Sequence, residues 1–197
     1  MLRNFSEQEI KTLRKNFIGA RPFQNVLVEN VLQNSKSLLA AIKKEKFFKK
    51  DSDLFSFSQT NNLFFSKNKI VAEAVSLFSS SKFSSLVSNI TGQKLKQGAV
   101  DVSAALYAKN NYLLCHDDQV EDRKIAFILY LSESLSEKDG GALSFFYEKA
   151  GHPQKRAIAN YPIQNSMMLF SVSAKSWHEV EEMLTDKKRC TIGGWMH

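Results

Sequence analysis

The run Lys124-Ile125-Ala126-Phe127-Ile128-Leu129-Tyr130-Leu131 decides the fold. It is apolar on both parities and too short for a core helix, so it reads as a strand covered on both faces. Ala126, Ile128 and Tyr130 share one face, and the opposite face is turned toward helices. That places the Tyr130 hydroxyl in the interior, where a tyrosine usually finds a hydrogen-bond partner. Met167-Met168-Leu169-Phe170 is a second run of this kind.

Around these two lie further strand candidates: Val102 to Tyr107, Tyr112 to His116, Ala142 to Tyr147, Arg156 to Tyr161, Trp177 to Met183 and Arg189 to Met196. Asn110-Asn111, Asp139-Gly140-Gly141, Gly151-His152-Pro153 and Asp186-Lys187-Lys188 supply the breaks. Short strands between turn signals predict a barrel or sandwich of jelly-roll type. Upstream, Ser6 and Glu9 form a capping-box pattern ahead of a helix to about Phe17, and Arg21-Pro22 ends it. A short strand is expected at Phe23 to Val28, then helices at Val31 to Phe48, Asn68 to Phe78 and Lys82 to Ile90, with Thr91-Gly92 as a stop. Asp51-Ser52-Asp53 and Asn61-Asn62 read as turn or loop. The expectation is an α+β chain with a mainly β core. It is one domain over residues 1–197, a helical support region at 1–100 packed on one face of a β core at 101–197.

Composition narrows the class. A chain of 197 residues with 43% hydrophobic and 24% charged residues is an ordinary globular protein. Lysine and arginine number 27 against 20 acidic residues, a net charge of +7. The densest basic stretch, Lys43 to Lys50, reads as the solvated face of a helix. No arginine-rich arm, zinc-finger spacing or aromatic RNA-binding signature is present, so direct sequence-specific nucleic-acid recognition is not expected. Cys115 and Cys190 make no disulfide framework, which fits a reducing cytoplasm, or the nucleus of a eukaryote. The N-terminus lacks a signal-peptide core and no apolar run approaches a membrane span, so no membrane partner is expected.

Chemistry starts at Asn111-Tyr112-Leu113-Leu114-Cys115-His116-Asp117-Asp118-Gln119. If Tyr112 to Asp118 is extended, His116 and Asp118 share a face, with Tyr112 on it too, while Cys115 and Asp117 turn away. An imidazole beside a carboxylate is most of a divalent-metal site, wanting a second histidine. His152 sits in a turn, and His197, the last residue, is expected to fray. His178, in a strand candidate, remains. At the start of the last strand Arg189 and Thr191 share a face, a guanidinium beside a hydroxyl that suits a carboxylate. Lys187 and Lys188 are alternatives in the adjoining turn.

The order His116-x-Asp118, His178, Arg189 resembles the 2-oxoglutarate- and Fe(II)-dependent oxygenases built on a double-stranded β-helix. The strings Arg123 to Leu131, Gly140-Gly141-Ala142-Leu143 and Arg189-Cys190-Thr191-Ile192-Gly193-Gly194-Trp195 resemble the prolyl hydroxylase group. With Asp53-Leu54-Phe55-Ser56-Phe57-Ser58-Gln59, they are similar to the branch that hydroxylates a proline of the small-subunit ribosomal protein at the decoding centre. The resemblance implies Fe(II) held by His116, Asp118 and His178, and 2-oxoglutarate held by Arg189 and Tyr130, with Thr191 close by. It also implies O2 as co-substrate, ascorbate as an optional addition, and a protein partner containing a target proline, ribosomal or translation-related. Tyr112 is expected at the substrate entrance. Eukaryotic members carry a second, non-catalytic β-helix domain, so this sequence is expected to be a single-domain relative or a catalytic part. Two other readings stay open. One is the same chemistry on a nucleic acid or small molecule; the other is a non-catalytic barrel module holding RNA or a ribosome. The alkylated-base demethylases carry a second arginine where Cys190 to Trp195 stand here, which disfavours that group.

Overall fold

The computed structural model describes residues 2–120 and 122–197. Among the described residues four α-helices cover one face of a sheet. α1 (Glu7–Gly19) opens on the capping box: Ser6 Oγ accepts from the Glu9 amide at 3.2 Å, and Glu9 Oε2 accepts from the Ser6 amide at 2.7 Å. α2 (Ser35–Ile42) is far shorter than the expected Val31 to Phe48 helix. α3 (Lys69–Phe78) and α4 (Ser81–Thr91) follow as read, α4 ending at Gly92 with φ 78°.

Among the described residues the sheet holds eleven strands. They are β1 (Asn25–Val28), β2 (Phe47–Ser52), β3 (Phe55–Thr60), β4 (Ser103–Tyr107), β5 (Tyr112–His116), β6 (Ile125–Tyr130), β7 (Leu143–Lys149), β8 (His152–Asn160), β9 (Met167–Ser171), β10 (His178–Val180) and β11 (Arg189–Met196). Their order is β1-β9-β6-β11-β4-β3-β5-β10-β7-β8, with β2 paired to β3 off this path. Every pairing is antiparallel, and the sheet curls into the expected jelly roll. β3 joins the two halves of the roll, pairing with β4 through Ser58 and Gln59 and with β5 through Phe55 and Ser56.

Strand parity places the core. Ile125, Phe127 and Leu129 of β6 pack with the helices, as do Met167 and Leu169 of β9. Ala126, Tyr130, Met168 and Phe170 face inside the roll. Phe127 meets Phe78 of α3 and Phe83 of α4 at ring-centroid distances of 5.4 and 5.8 Å. Each such buried side chain contributes about 1.5–3 kcal/mol of transfer free energy. No single helix among the described residues is long and apolar enough to cross a membrane, and the apolar stripes of α3 and α4 are spent on this contact. Gly194 of β11 is required by close packing, since a Cβ there would lie 1.6 Å from the Asp101 carbonyl oxygen.

Several expectations are corrected. Beyond the strand expected at Phe23 to Val28, found as β1, residues 1–100 also supply β2 and β3 to the sheet, so the region is not helical support alone. The basic run Lys43–Lys50 leaves α2 at Ile42 and continues as a turn and strand β2, so it is not a helix face. The strand expected at Trp177 to Met183 is only His178–Val180. His152 is exposed, as read, but opens β8 rather than lying in a turn. His197 does not fray: its amide donates to Ala99 O at 3.1 Å and its carbonyl accepts from the Lys96 amide at 2.8 Å.

Candidate metal and co-substrate site

β5 ends on His116 and β10 begins on His178, and these two are cross-strand partners. Neighbouring strands bring opposed side chains within about 5.5 Å, so the sheet itself delivers the imidazoles together. Their ring centroids are 4.3 Å apart. Asp118 reaches the same point from just beyond the strand. It has φ 60°, the left-handed region that aspartate tolerates better than most residues. The reading that put His116 and Asp118 on one extended face therefore finds the right partner by a different geometry. Ser176, fully buried, holds the two loops together by donating to Asp117 O at 2.9 Å.

Nε2 of His116 lies 3.4 Å from Asp118 Oδ1, and Nε2 of His178 lies 3.3 Å from Oδ2. Each Nδ1 is engaged elsewhere, with Leu114 O at 2.8 Å for His116 and Ser176 O at 2.7 Å for His178. A carbonyl only accepts, so these contacts assign the proton to Nδ1 and leave Nε2 as a lone pair. Two imidazole lone pairs and a carboxylate then converge, their ligand atoms all within 4.8 Å of one another. That arrangement repels itself unless a cation sits among them, and backbone-bonded imidazoles are the usual support of metal-binding histidines. The donor set fits Fe(II).

Without a cation the same three groups would instead pair through protonated imidazoles: burial would raise the Asp118 pKa, but hydrogen bonds from and charge on His116 and His178 would hold it well below the usual carboxylate range. Burial, the largest single effect, would lower the His116 pKa, but the hydrogen bond and charge of Asp118, the Leu114 carbonyl and the Asp117 charge together raise it. Trp195 Nε1 donates to Asp118 Oδ2 at 3.0 Å, and the Arg123 guanidinium lies 3.6 Å from the Trp195 ring centroid. Arg123 Nη1 also reaches Asp118 O at 3.4 Å, so the loop carrying the carboxylate is held from behind.

Arg189, at the start of β11, is 2% exposed. Among the described residues its Nε and Nη2 have no hydrogen-bond partner, nor does the buried Tyr130 hydroxyl. Tyrosine was expected to find a partner; here it is left open beside an open guanidinium. Their rings and charge are close, with the Arg189 Cζ 5.1 Å from the Tyr107 centroid and 5.3 Å from that of Tyr130. Burial raises the Tyr107 pKa to about 12, partly offset by the Arg189 charge, so the phenol stays protonated and can donate. Buried polar groups without partners are rare and costly, and a cation among phenols is the complement of a carboxylate. Thr191 is buried, two positions along the same strand, directly across from Tyr130.

One cavity of about 170 Å³ joins these groups, lined by His116, Asp118, His178, Arg189 and Thr191 together with apolar walls. Tyr130 does not line it but flanks Arg189. Tyr112 does not line it either. A bulge in β5 opposes His178 to His116 and Val180 to Leu113, so three residues on β5 span two on β10. Parity therefore flips, and Leu113, not Tyr112, faces the cavity with His116. Asp117 turns away as expected, its Oδ1 accepting from the Gln119 amide at 3.1 Å. Reasoning from residues missed Tyr107, Gln59 and the Trp195 contact. Gln59 and Trp195 sit in strings marked by their resemblance alone, and Tyr107 is legible only by its parity with Ala105 on β4.

Residues 102–197 match the family model described as the 2OG-Fe(II) oxygenase superfamily. Over 186 residues the chain is 37% identical to prolyl 3-hydroxylase OGFOD1 of Xenopus laevis, covering 89% of this chain and 35% of that protein. It is 34% identical over 191 residues to prolyl 3,4-dihydroxylase OGFOD1 of Ostreococcus tauri, covering 89% and 36%. The chain thus spans about a third of the length of these relatives. Among solved structures it resembles a Trichoplax adhaerens prolyl hydroxylase in complex with a peptide of the hypoxia inducible factor oxygen degradation domain. That likeness is one of fold, with TM-score 0.72 at 16% identity over 96% of this chain and 90% of that one.

Proposed function

We propose that this chain, whose residues 102–197 match the 2OG-Fe(II) oxygenase family model, hydroxylates a prolyl residue of a protein substrate. The single observation that carries the reading is the pairing of two sites across one cavity. Three converging metal donors face a buried guanidinium with unsatisfied donors. His116, Asp118 and His178 would hold Fe(II). Arg189, with Tyr130 and with Thr191 nearby, would hold the far carboxylate of 2-oxoglutarate.

With its metal bound, the site supplies oxidation of a substrate C–H bond by O2, coupled to conversion of 2-oxoglutarate to succinate and CO2. The chain's own residues do the rest. The backbone carbonyls of Leu114 and Ser176 keep the Nδ1 protons in place, so each Nε2 stays a donor. Trp195 fixes one carboxylate oxygen of Asp118 and sets its orientation. Arg189 orients the co-substrate by charge from an apolar surround, where a charge-assisted bond is strengthened. Phe57, Leu113, Phe170 and Val180 line the cavity and keep water from the reacting centre.

Carbon 3 of proline is the position common to the relatives' names, with carbon 4 added in that of Ostreococcus tauri, and carbon 3 is the position we favour here. The resemblance of Asp53 to Gln59 and the β11 string favours a ribosomal or translation-related protein as the substrate, met in a reducing compartment such as the cytoplasm. The test is mass spectrometry of proline-containing ribosomal peptides after incubation with Fe(II), 2-oxoglutarate and O2. The expected result is a gain of one oxygen on a proline, with stoichiometric succinate. Hydroxylation that persists undiminished in His178→Ala would refute the role of that ligand.

A further inference from the structure

The cavity wall holds one polar pair that neither the metal donors nor the co-substrate groups use. Gln59 Nε2 donates to Ser103 Oγ at 3.0 Å, with both side chains half-buried. Among the described residues lining the cavity, the other polar side chains gather at Asp118 or around Arg189.

The strands set where this pair stands. Gln59 of β3 is the cross-strand partner of Ala105 on β4, and Ser103 of β4 is the partner of Gly193 on β11. Along the inward face of β11, Gly193 lies one position from Trp195, which bonds Asp118, and two from Arg189. Successive inward positions are about 7 Å apart. Ser103 is therefore nearer the Asp118 end of the cavity than the Arg189 end, and Gly193 has no side chain to engage its hydroxyl. The bond to Ser103 uses one N–H of the carboxamide. The second N–H and the carbonyl oxygen remain, a donor and an acceptor side by side in a wall otherwise built of Phe57, Ala105 and Ile128.

We propose that Gln59, held in place by Ser103, recognises the peptide bond that follows the target proline. This rests on the prolyl hydroxylase reading above. The peptide bond before a proline has a carbonyl but no N–H, so it would leave the Gln59 oxygen unpaired against an apolar wall. The bond after it is the nearest that offers both. There the proline's own carbonyl accepts from Gln59 Nε2, and the N–H of the next residue donates to Gln59 Oε1. The pairing sets a rule for substrates: a target proline followed by a second proline lacks that N–H and is disfavoured.

The probes are a proline-containing ribosomal peptide hydroxylated in the assay above and its analogue with an ester in place of the amide after the target proline. Kinetics at saturating 2-oxoglutarate are compared for wild type and Gln59→Leu. In the wild type the ester should raise KM about tenfold, the worth of one hydrogen bond. Gln59→Leu should raise KM for the amide peptide by a similar factor, with kcat moving less, and the ester should then cost the variant nothing more. Ser103→Ala, which frees the Gln59 side chain, should raise KM by a smaller factor. An ester turned over by the wild type as well as the amide would overturn the proposal, however well the variants fold. So would an ester penalty of equal size in wild type and Gln59→Leu; both results leave prolyl hydroxylation standing. Loss in Gln59→Leu of the melting-temperature rise that 2-oxoglutarate gives the Fe(II)-loaded protein would assign the residue to the co-substrate instead. A wild type that hydroxylates no prolyl peptide would sink the prolyl hydroxylase reading and this proposal together.

Discussion

Replacing Arg189 by methionine separates a binding role from a structural one. In the free protein its guanidinium is buried with Nε and Nη2 unsatisfied. A buried donor left without a partner costs about 1–3 kcal/mol. Against this stand the nearby Tyr107 and Tyr130 rings, worth about 2 kcal/mol at most as cation–π contacts. Methionine keeps the apolar stem and ends at about the position of Nε, so Arg189→Met should leave the ligand-free protein as stable as the wild type, or more so. With 2-oxoglutarate the order reverses. At a hundredfold excess over its dissociation constant, a ligand stabilises the native state by about 2.7 kcal/mol. For a chain of this size that is a melting shift of roughly 5–11 °C. Removing the buried partner of a carboxylate costs about 3–5 kcal/mol, which weakens binding at least a hundredfold. At the same ligand concentration the variant should then gain no more than about 0.4 kcal/mol, or roughly 1–2 °C. Differential scanning fluorimetry of Fe(II)-loaded protein under anaerobic conditions reads both numbers. Arg189→Met that loses several kcal/mol without ligand, while keeping its 2-oxoglutarate shift, would refute the reasoning.

Three further outcomes follow from named contacts. Trp195→Phe keeps the ring but removes the donor to Asp118 Oδ2, so Fe(II) affinity by anaerobic titration should fall about 10–100-fold with the melting temperature nearly unchanged. Phe83→Ala should cost about 3–5 kcal/mol in urea unfolding, because its ring is fully buried between Phe78 and Phe127. Asp139 has its pKa lowered to about 2, first by the Ser136 hydroxyl, against burial, then by the Ser136 amide and Lys187. Its folded value lies below its unfolded one near 3.9, so its contribution is complete above that pH and is lost as pH falls through about 2. The urea-midpoint difference between wild type and Asp139→Asn should therefore shrink on acidification across that window.

The β core was legible because buried strands announce themselves. β6 and β9 are apolar on both parities, and no helix of that length would leave such turn signals around it. The β2–β3 hairpin was not legible. Phe-Phe-Lys-Lys-Asp-Ser carries no alternation and is exposed, so its strand state comes from pairing with β3. Pairing partners leave no local trace in a sequence. The lysines of that run instead suggested a helix face.

At the site, the residue types were legible and their geometry was only partly so. His116, Asp118, His178 and Arg189 stand together as read. Asp118 gets there through a left-handed residue after the strand, and Tyr112 is displaced from the cavity by the β5 bulge. A single extra residue in a strand reverses every parity argument that crosses it. The unsatisfied Arg189 and Tyr130 groups are invisible in sequence, since an absent partner is a property of packing alone.

The central claim is that His116, Asp118 and His178 form one Fe(II) site that communicates with 2-oxoglutarate. Anaerobic titration of metal-free protein with Fe(II), followed by 2-oxoglutarate and visible absorption, tests it most directly. The account predicts one Fe(II) bound per chain and a weak visible charge-transfer band that appears only with both components. Both should be lost in Asp118→Ala and kept in Asp117→Ala. An undiminished band in Asp118→Ala, or one abolished in Asp117→Ala alone, would contradict it.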